Sequence, residues 1–136
     1  MIGFLPVPHG NASFWAAMIR LHATEHEEQS ALLRWAGLAR QQYPELRWLF
    51  AMLNQGAGRN KRLQQEGCNP GVPDLCLPVP RLPYYGLFIE MKAQGGRLSA
   101  AQIAWVTNLN RTGYRAVVCV GWDAARQVIE DYLSRG

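Results

Sequence analysis

Gly71-Val72-Pro73-Asp74-Leu75 and, after a proline-rich excursion, Gly86-Leu87-Phe88-Ile89-Glu90-Met91-Lys92 decide how this chain is read. Pro73 marks a turn, and Asp74 stands where the chain leaves that turn for an apolar segment. Glu90 and Lys92 close an apolar, aromatic run of strand type. Side chains alternate faces along a strand, so Glu90 and Lys92 point the same way. Two carboxylates and an ammonium group can then meet at one edge of a sheet. Such a set suits a hard divalent cation with a cationic group beside it. Zinc is disfavoured. His22 and His26 stand near Glu25, but no cysteine or further histidine completes a tetrahedral set.

The segments on either side give the triplet a scaffold. Downstream, Ser99-Ala100-Ala101-Gln102 has the form of a capping box and opens a helix that should end before Gly113. Ala116 to Val120 is continuously apolar, the pattern of a buried strand. The strand–helix–strand unit over 86–120 predicts a right-handed parallel crossover. Asp123 should cap a last amphipathic helix carrying Val128, Ile129, Tyr132 and Leu133. Upstream, Thr24-Glu25-His26-Glu27 is a second capping box, opening a helix through Leu32, Trp35 and Leu38 towards Tyr43, with Pro44 closing it.

Strands are expected at Trp48 to Leu53, Asp74 to Leu77 and Tyr85 to Met91. Pro78, Pro80 and Pro83 exclude a central strand between the last two. The glycine-rich, basic stretch Asn54 to Gly71 has room for a short helix, Lys61 to Glu66, stopped by Gly67. Residues 1–22 read as an irregular arm with a short helix over Ser13 to Leu21, and residues 23–136 as one domain. The order α-β-β-β-α-β-α predicts an α/β fold, a central mixed sheet of about four strands flanked by helices.

Composition narrows the classes of partner. The chain has 136 residues, 49% of them hydrophobic, which is enough for one compact core. A net charge of +4 favours a polyanionic partner. The three cysteines, Cys68, Cys76 and Cys119, lack metal or redox spacing. Their odd number suggests reduced thiols in a cytoplasmic setting. No apolar run approaches the roughly 18 residues of a membrane span, so no membrane partner is expected. Pro6 and Pro8 interrupt the apolar start too early for a secretory leader.

The Pro-Asp, spacer, Glu-x-Lys pattern resembles the motif of the PD-(D/E)xK nuclease superfamily. Together with Leu98-Ser99-Ala100-Ala101-Gln102 and Gly113-Tyr114-Arg115-Ala116, the chain from Thr24 to Leu133 resembles the VRR-NUC family, and within it the small stand-alone members of phages and prophages. The resemblance implies a restriction-endonuclease-like core and phosphodiester hydrolysis dependent on Mg2+ or Mn2+. It also implies a DNA substrate, branched DNA and Holliday junctions included, and a bacterial intracellular setting. The family's helix Glu and Gln fall on Glu25 and Gln29, and its Gln after the lysine on Gln102. Its usual Asn-Gly-Gly is replaced by Asn54-Gln55-Gly56.

In that chemistry Asp74 and Glu90 would ligate the cation, with the Met91 backbone carbonyl adding an oxygen and Lys92 placing water or offsetting phosphate charge. Glu25 and Gln29 are four apart on a helix face that continues through Leu32, Leu33 and Ala36, so they should line the site, Glu25 as a further metal or water ligand. Glu27 fills its cap role and Glu28 is expected in solvent. Gln102 has two competing readings: cap of its own helix, or a group reaching the Lys92 region from the face of Trp105, Val106 and Leu109. Arg59, Lys61 and Arg62, with Arg97 after Gly95-Gly96, are candidate phosphate contacts. Cutting two strands symmetrically with one site per chain needs a homodimer. No small-molecule cofactor is expected. The competing functions are a silent DNA-binding module, which the intact triplet argues against, and a general or sequence-specific DNA nuclease.

Overall fold

A computed structural model describes residues 23–52 and 61–136. The arm with its Ser13 to Leu21 helix, His22, Arg59 and the Asn54-Gln55-Gly56 turn lie outside the described residues. The helices are α1 (Glu25–Leu38), α2 (Lys61–Gln65), α3 (Ala100–Arg111) and α4 (Trp122–Leu133). The strands are β1 (Phe50–Ala51), β2 (Leu75–Leu77), β3 (Leu87–Lys92) and β4 (Arg115–Val120), side by side in that order. β1 with β2 and β2 with β3 are antiparallel, while β3 and β4 are parallel. The sheet is therefore the mixed one that the α/β reading predicts, and β3–α3–β4 is its parallel crossover.

Both capping boxes form. Thr24 Oγ1 accepts from the Glu27 amide at 3.2 Å, and the Glu27 carboxylate accepts from the Thr24 amide at 2.8 Å. The helix is shorter than expected: α1 ends at Leu38, and 3-10 turns follow at Ala39–Gln41 and Pro44–Trp48. Pro44 opens the second turn rather than closing the helix, because a residue without an N–H fits a first helical turn. That turn takes Trp48, which leaves β1 only Phe50 and Ala51. β3 starts at Leu87 rather than Tyr85, since the Tyr85 amide bonds instead to the Gly113 carbonyl at 2.9 Å. Gly113 has φ +99, and a Cβ there would sit 2.5 Å from the Tyr85 ring, so this contact demands glycine.

Leu87, Ile89 and Met91 of β3 join Leu75, Leu77 and Cys119 in the core, beneath Leu32 and Ala36 of α1 and Ala125, Ile129 and Tyr132 of α4. The alternate residues of β3, Phe88, Glu90 and Lys92, take the opposite face. On that side α3 packs on β4. The expectation of a fully buried β4 is corrected here: Val118 and Val120 are exposed. α3 covers only the start of the strand, where the Asn110 side chain donates to the Ala116 carbonyl at 2.9 Å and accepts from its amide at 3.0 Å.

A second correction concerns α4. Its N-cap is Gly121, at φ 86, with no side-chain cap bond from its own segment. Asp123 lies inside the first turn, where its carboxylate accepts from Arg126 and Gln127. At the other end of α4 the buried Tyr132 hydroxyl donates to the Val79 carbonyl at 2.7 Å, and Arg81 bonds Glu45 at 2.7 Å. These bonds tie the proline excursion to the body. No helix among the described residues is long and apolar enough to cross a membrane.

Candidate active site

Asp74 immediately precedes β2. Its carbonyl accepts from the Met52 amide at 2.8 Å, and its Oδ2 accepts from the Met91 amide at 2.7 Å. The second bond carries the carboxylate across to the end of β3. The preceding turn is anchored by Pro73, which is fully buried, and by Gly71, at φ +86. A Cβ on Gly71 would lie 2.5 Å from the Ala101 carbonyl carbon, so this turn presses directly on the first turn of α3. That turn of α3 carries Gln102.

On β3, Glu90 is 1% and Lys92 5% exposed. Lys92 Nζ lies 3.5 Å from Glu90 Oε1 and 3.6 Å from Glu25 Oε1, the latter at the start of α1. Gln102 Nε2 donates to Glu90 Oε1 at 2.8 Å, while its Oε1 accepts from the Ser99 amide at 2.9 Å. The two competing readings of Gln102 are therefore both met, each by one end of the same amide. Oxygens of Glu25, Asp74 and Glu90 all lie within 4.8 Å of one another.

Three carboxylates thus share one ammonium group. Burial pushes the Glu90 carboxyl up to about 7, with the Asp74 charge adding to the rise and Lys92 opposing it. Burial also raises Asp74, while the Met91 amide holds it down. Glu90 Oε2 is buried without a hydrogen-bond partner. Such an orphan is costly unless something else fills its coordination. The site residues fit a hard cation: clustered oxygens, one of them unpartnered, with no thiol or imidazole in the cluster among the described residues. The buried thiols of Cys76 and Cys119 are pushed up to about 11 and stay protonated.

Of the residues singled out in the sequence, Asp74, Glu90, Lys92, Glu25 and Gln102 come together. Met91 is buried between Glu90 and Lys92, its amide committed to Asp74. Gln29 is half-buried one turn after Glu25, and no hydrogen bond joins it to Asp74, Glu90 or Lys92 among the described residues. Lys61, Arg62 and Arg97 are exposed, and Arg62 pairs with Glu66 at 3.1 Å. His26 is exposed and lies outside the Glu25–Asp74–Glu90 cluster.

Glu28 contradicts the sequence reading. It is 2% exposed rather than solvated, and its carboxylate accepts from the Trp122 amide at the start of α4. The signal was in the spacing. Glu28, Leu32 and Ala36 recur every four residues and form the buried stripe of α1, which Glu25 and Gln29 flank.

A mixed four-stranded sheet flanked by helices, with an acid cluster where β2 begins and β3 ends, defines the restriction-endonuclease-like α/β class. The VRR-NUC domain family matches residues 16–123, and the chain belongs to that family. A solved structure of a VRR_NUC domain protein superposes with a TM-score of 0.72 at 30% identity, covering 84% of this chain and 91% of that one. No curated protein matches the chain. The family defines a nuclease-type domain, and DNA is the substrate it implies.

Proposed function

We propose that this protein is a DNA endonuclease dependent on Mg2+ or Mn2+, acting as a homodimer on branched DNA such as four-way junctions. The observation that carries the metal dependence is the buried, unpartnered Oε2 of Glu90 inside the Glu25–Asp74–Glu90 cluster. Asp74 and Glu90 would hold the cation, Glu25 would reach it directly or through water, and the Met91 carbonyl could add an oxygen. Few protein ligands suit Mg2+, which keeps several waters. When bound, such an ion supplies Lewis-acid charge and lowers the pKa of water.

The chain's own groups have distinct tasks. Gln102 holds one oxygen of Glu90 and so leaves the other for the cation. Lys92, between Glu25 and Glu90, is placed to orient water or to offset charge on the phosphate. Lys61 and Arg62, with Arg59 and Arg97, would contact phosphates without reading sequence, in line with the net charge of +4. Gln29 would support the site from one turn further along α1. With one such cluster among the described residues of each chain, paired cuts across a junction call for two chains.

The test is a panel of labelled duplex, flap, single-stranded and four-way-junction DNA, each incubated with Mn2+ or with EDTA. Junction cutting that needs Mn2+ and is lost in Lys92→Ala is expected, with a dimer in light scattering. Absence of metal-dependent cutting on every substrate would end the enzyme reading. Equal cutting of all substrates would leave a general nuclease.

A further inference from the structure

We infer that Glu28 is a positioning residue: it locks the first turn of α1 to the start of α4 and so holds Glu25 against Lys92 in the acid cluster. The inference rests on the metal-site reading above. Glu25 needs such a hold, because it sits at the exposed start of a helix, its side chain 48% accessible, while Lys92 is buried. Its contact with Lys92 does not by itself fix where the helix begins.

The restraint comes from one turn further in. Glu28 is at the base of the buried stripe with Leu32 and Ala36, and its carboxylate takes the Trp122 amide. Next to Trp122, the Gly121 amide donates to the Lys92 carbonyl at 2.9 Å. The start of α4 is thus bonded on one side to α1 and on the other to the residue whose ammonium group faces Glu25. A displacement of α1 that separated Glu25 from Lys92 would have to work against the Glu28 bond as well. Capping α4 alone would not require a carboxylate reaching in from another helix. A Ser or Asp at the cap position does that locally without burying a distant acid. Here the cap position is a glycine with no side-chain bond, and Asp123 is engaged with Arg126 and Gln127.

The test reads Mn2+ affinity by calorimetry, independently of cutting, in wild type, Glu25→Gln, Glu28→Ala, Glu28→Gln and the Glu25→Gln/Glu28→Ala double variant. Glu28→Ala should weaken Mn2+ binding about tenfold, the scale found when a group orienting a metal ligand is lost. Glu28→Gln, whose amide oxygen can still accept from Trp122, should recover most of it. In the Glu25→Gln background, Glu28→Ala should weaken binding no further. Leu133→Ala, a core truncation at the far end of α4, controls for lost stability and should leave Mn2+ affinity at the wild-type value. If Glu28→Ala does not fold, Glu28→Asp, one methylene too short for the bond, takes its place with the same expectation.

Wild-type affinity in the folded Glu28 variants, or equal weakening with and without Glu25, would overturn the inference. The metal-site reading fails in a different way: wild type would bind no Mn2+, or Glu25→Gln and Glu90→Gln would bind it unchanged, and the inference would go with it.

Discussion

Glu90 concentrates the conflict in this molecule. A carboxylate 1% exposed, beside two other acids, stays charged only at a cost, which is why its pKa rises to about 7. Replacing it with Gln keeps the shape and the acceptor for Gln102 but removes the charge. Glu90→Gln should therefore leave the metal-free protein at least as thermally stable as wild type, while weakening Mn2+ binding by more than about 100-fold and abolishing cutting. Calorimetry and a melting curve on one sample check both halves. The same residue sets a pH dependence. Its folded pKa lies above the ordinary value of 4.5, so the folded metal-free protein holds a proton that the unfolded chain has lost. That contribution to stability is complete below about pH 4.5 and is lost as pH rises to about 7. Asp74, also raised, acts in the same direction. Metal binding runs the other way. Mn2+ affinity should climb about tenfold per pH unit below 7 and level off above it. Affinity that is flat between pH 5.5 and 7 would show that Glu90 is not a ligand.

At the scale of elements, α3 couples a helix start to a reacting group through one amide. Gln102→Ala removes both functions and should cost about 1 kcal/mol of stability along with activity. Gln102→Glu separates them. An oxygen still receives the Ser99 amide, so the denaturation midpoint should stay near wild type. The group facing Glu90 becomes an acceptor of like charge, so cutting should fall by at least about tenfold. Unchanged cutting would reduce Gln102 to a cap. The elements themselves were legible because their signals are local. Both capping boxes and the strand-ending Glu90-x-Lys92 need only neighbouring residues to be read. The cap of α4 was not legible from Asp123, since its replacement, Glu28, lies 94 residues before the Trp122 amide that it accepts from. The exposed face of β4 was hidden for a similar reason: Val118 and Val120 read as core until α3 is seen to cover only the strand's first residues.

For the whole molecule, the site occupies one end of the sheet and the bracing the other. The chain leaves the site at Asp74, passes through β2 and reaches Val79 at the far end, where Tyr132 meets it. α4 connects the two ends over about 18 Å. Tyr132→Phe leaves the Val79 carbonyl unpaired and should lower unfolding free energy by about 1–2 kcal/mol, measured in urea. Mn2+ affinity and junction cutting should not change. A loss of cutting in a fully folded sample would show that the two ends are not independent. The core acids were legible in the sequence because their chemistry sits in a short motif. The partners that aim them, the Met91 amide for Asp74 and Glu28 for Glu25, appear only when the strands and helices are laid side by side.

The Asn110 side chain guards the free edge of β4 against open-ended strand-to-strand aggregation. Ala116 turns its amide and carbonyl away from β3, as the bond from its neighbour Arg115 to Gly86 requires in a parallel pair. Those outward groups would otherwise be the first rung of a ladder for a foreign strand, and Asn110 occupies both. It is a one-residue plug at the sheet margin, beside the exposed Val118 and Val120. Asn110→Ala would free that rung next to an apolar, proline-free strand, the composition that invites edge-to-edge growth. Such a variant should fold and cut at low concentration yet gain light scattering and thioflavin signal on storage, at a rate rising with concentration. A variant as durable in solution as wild type would mean that the margin is guarded by something other than this amide.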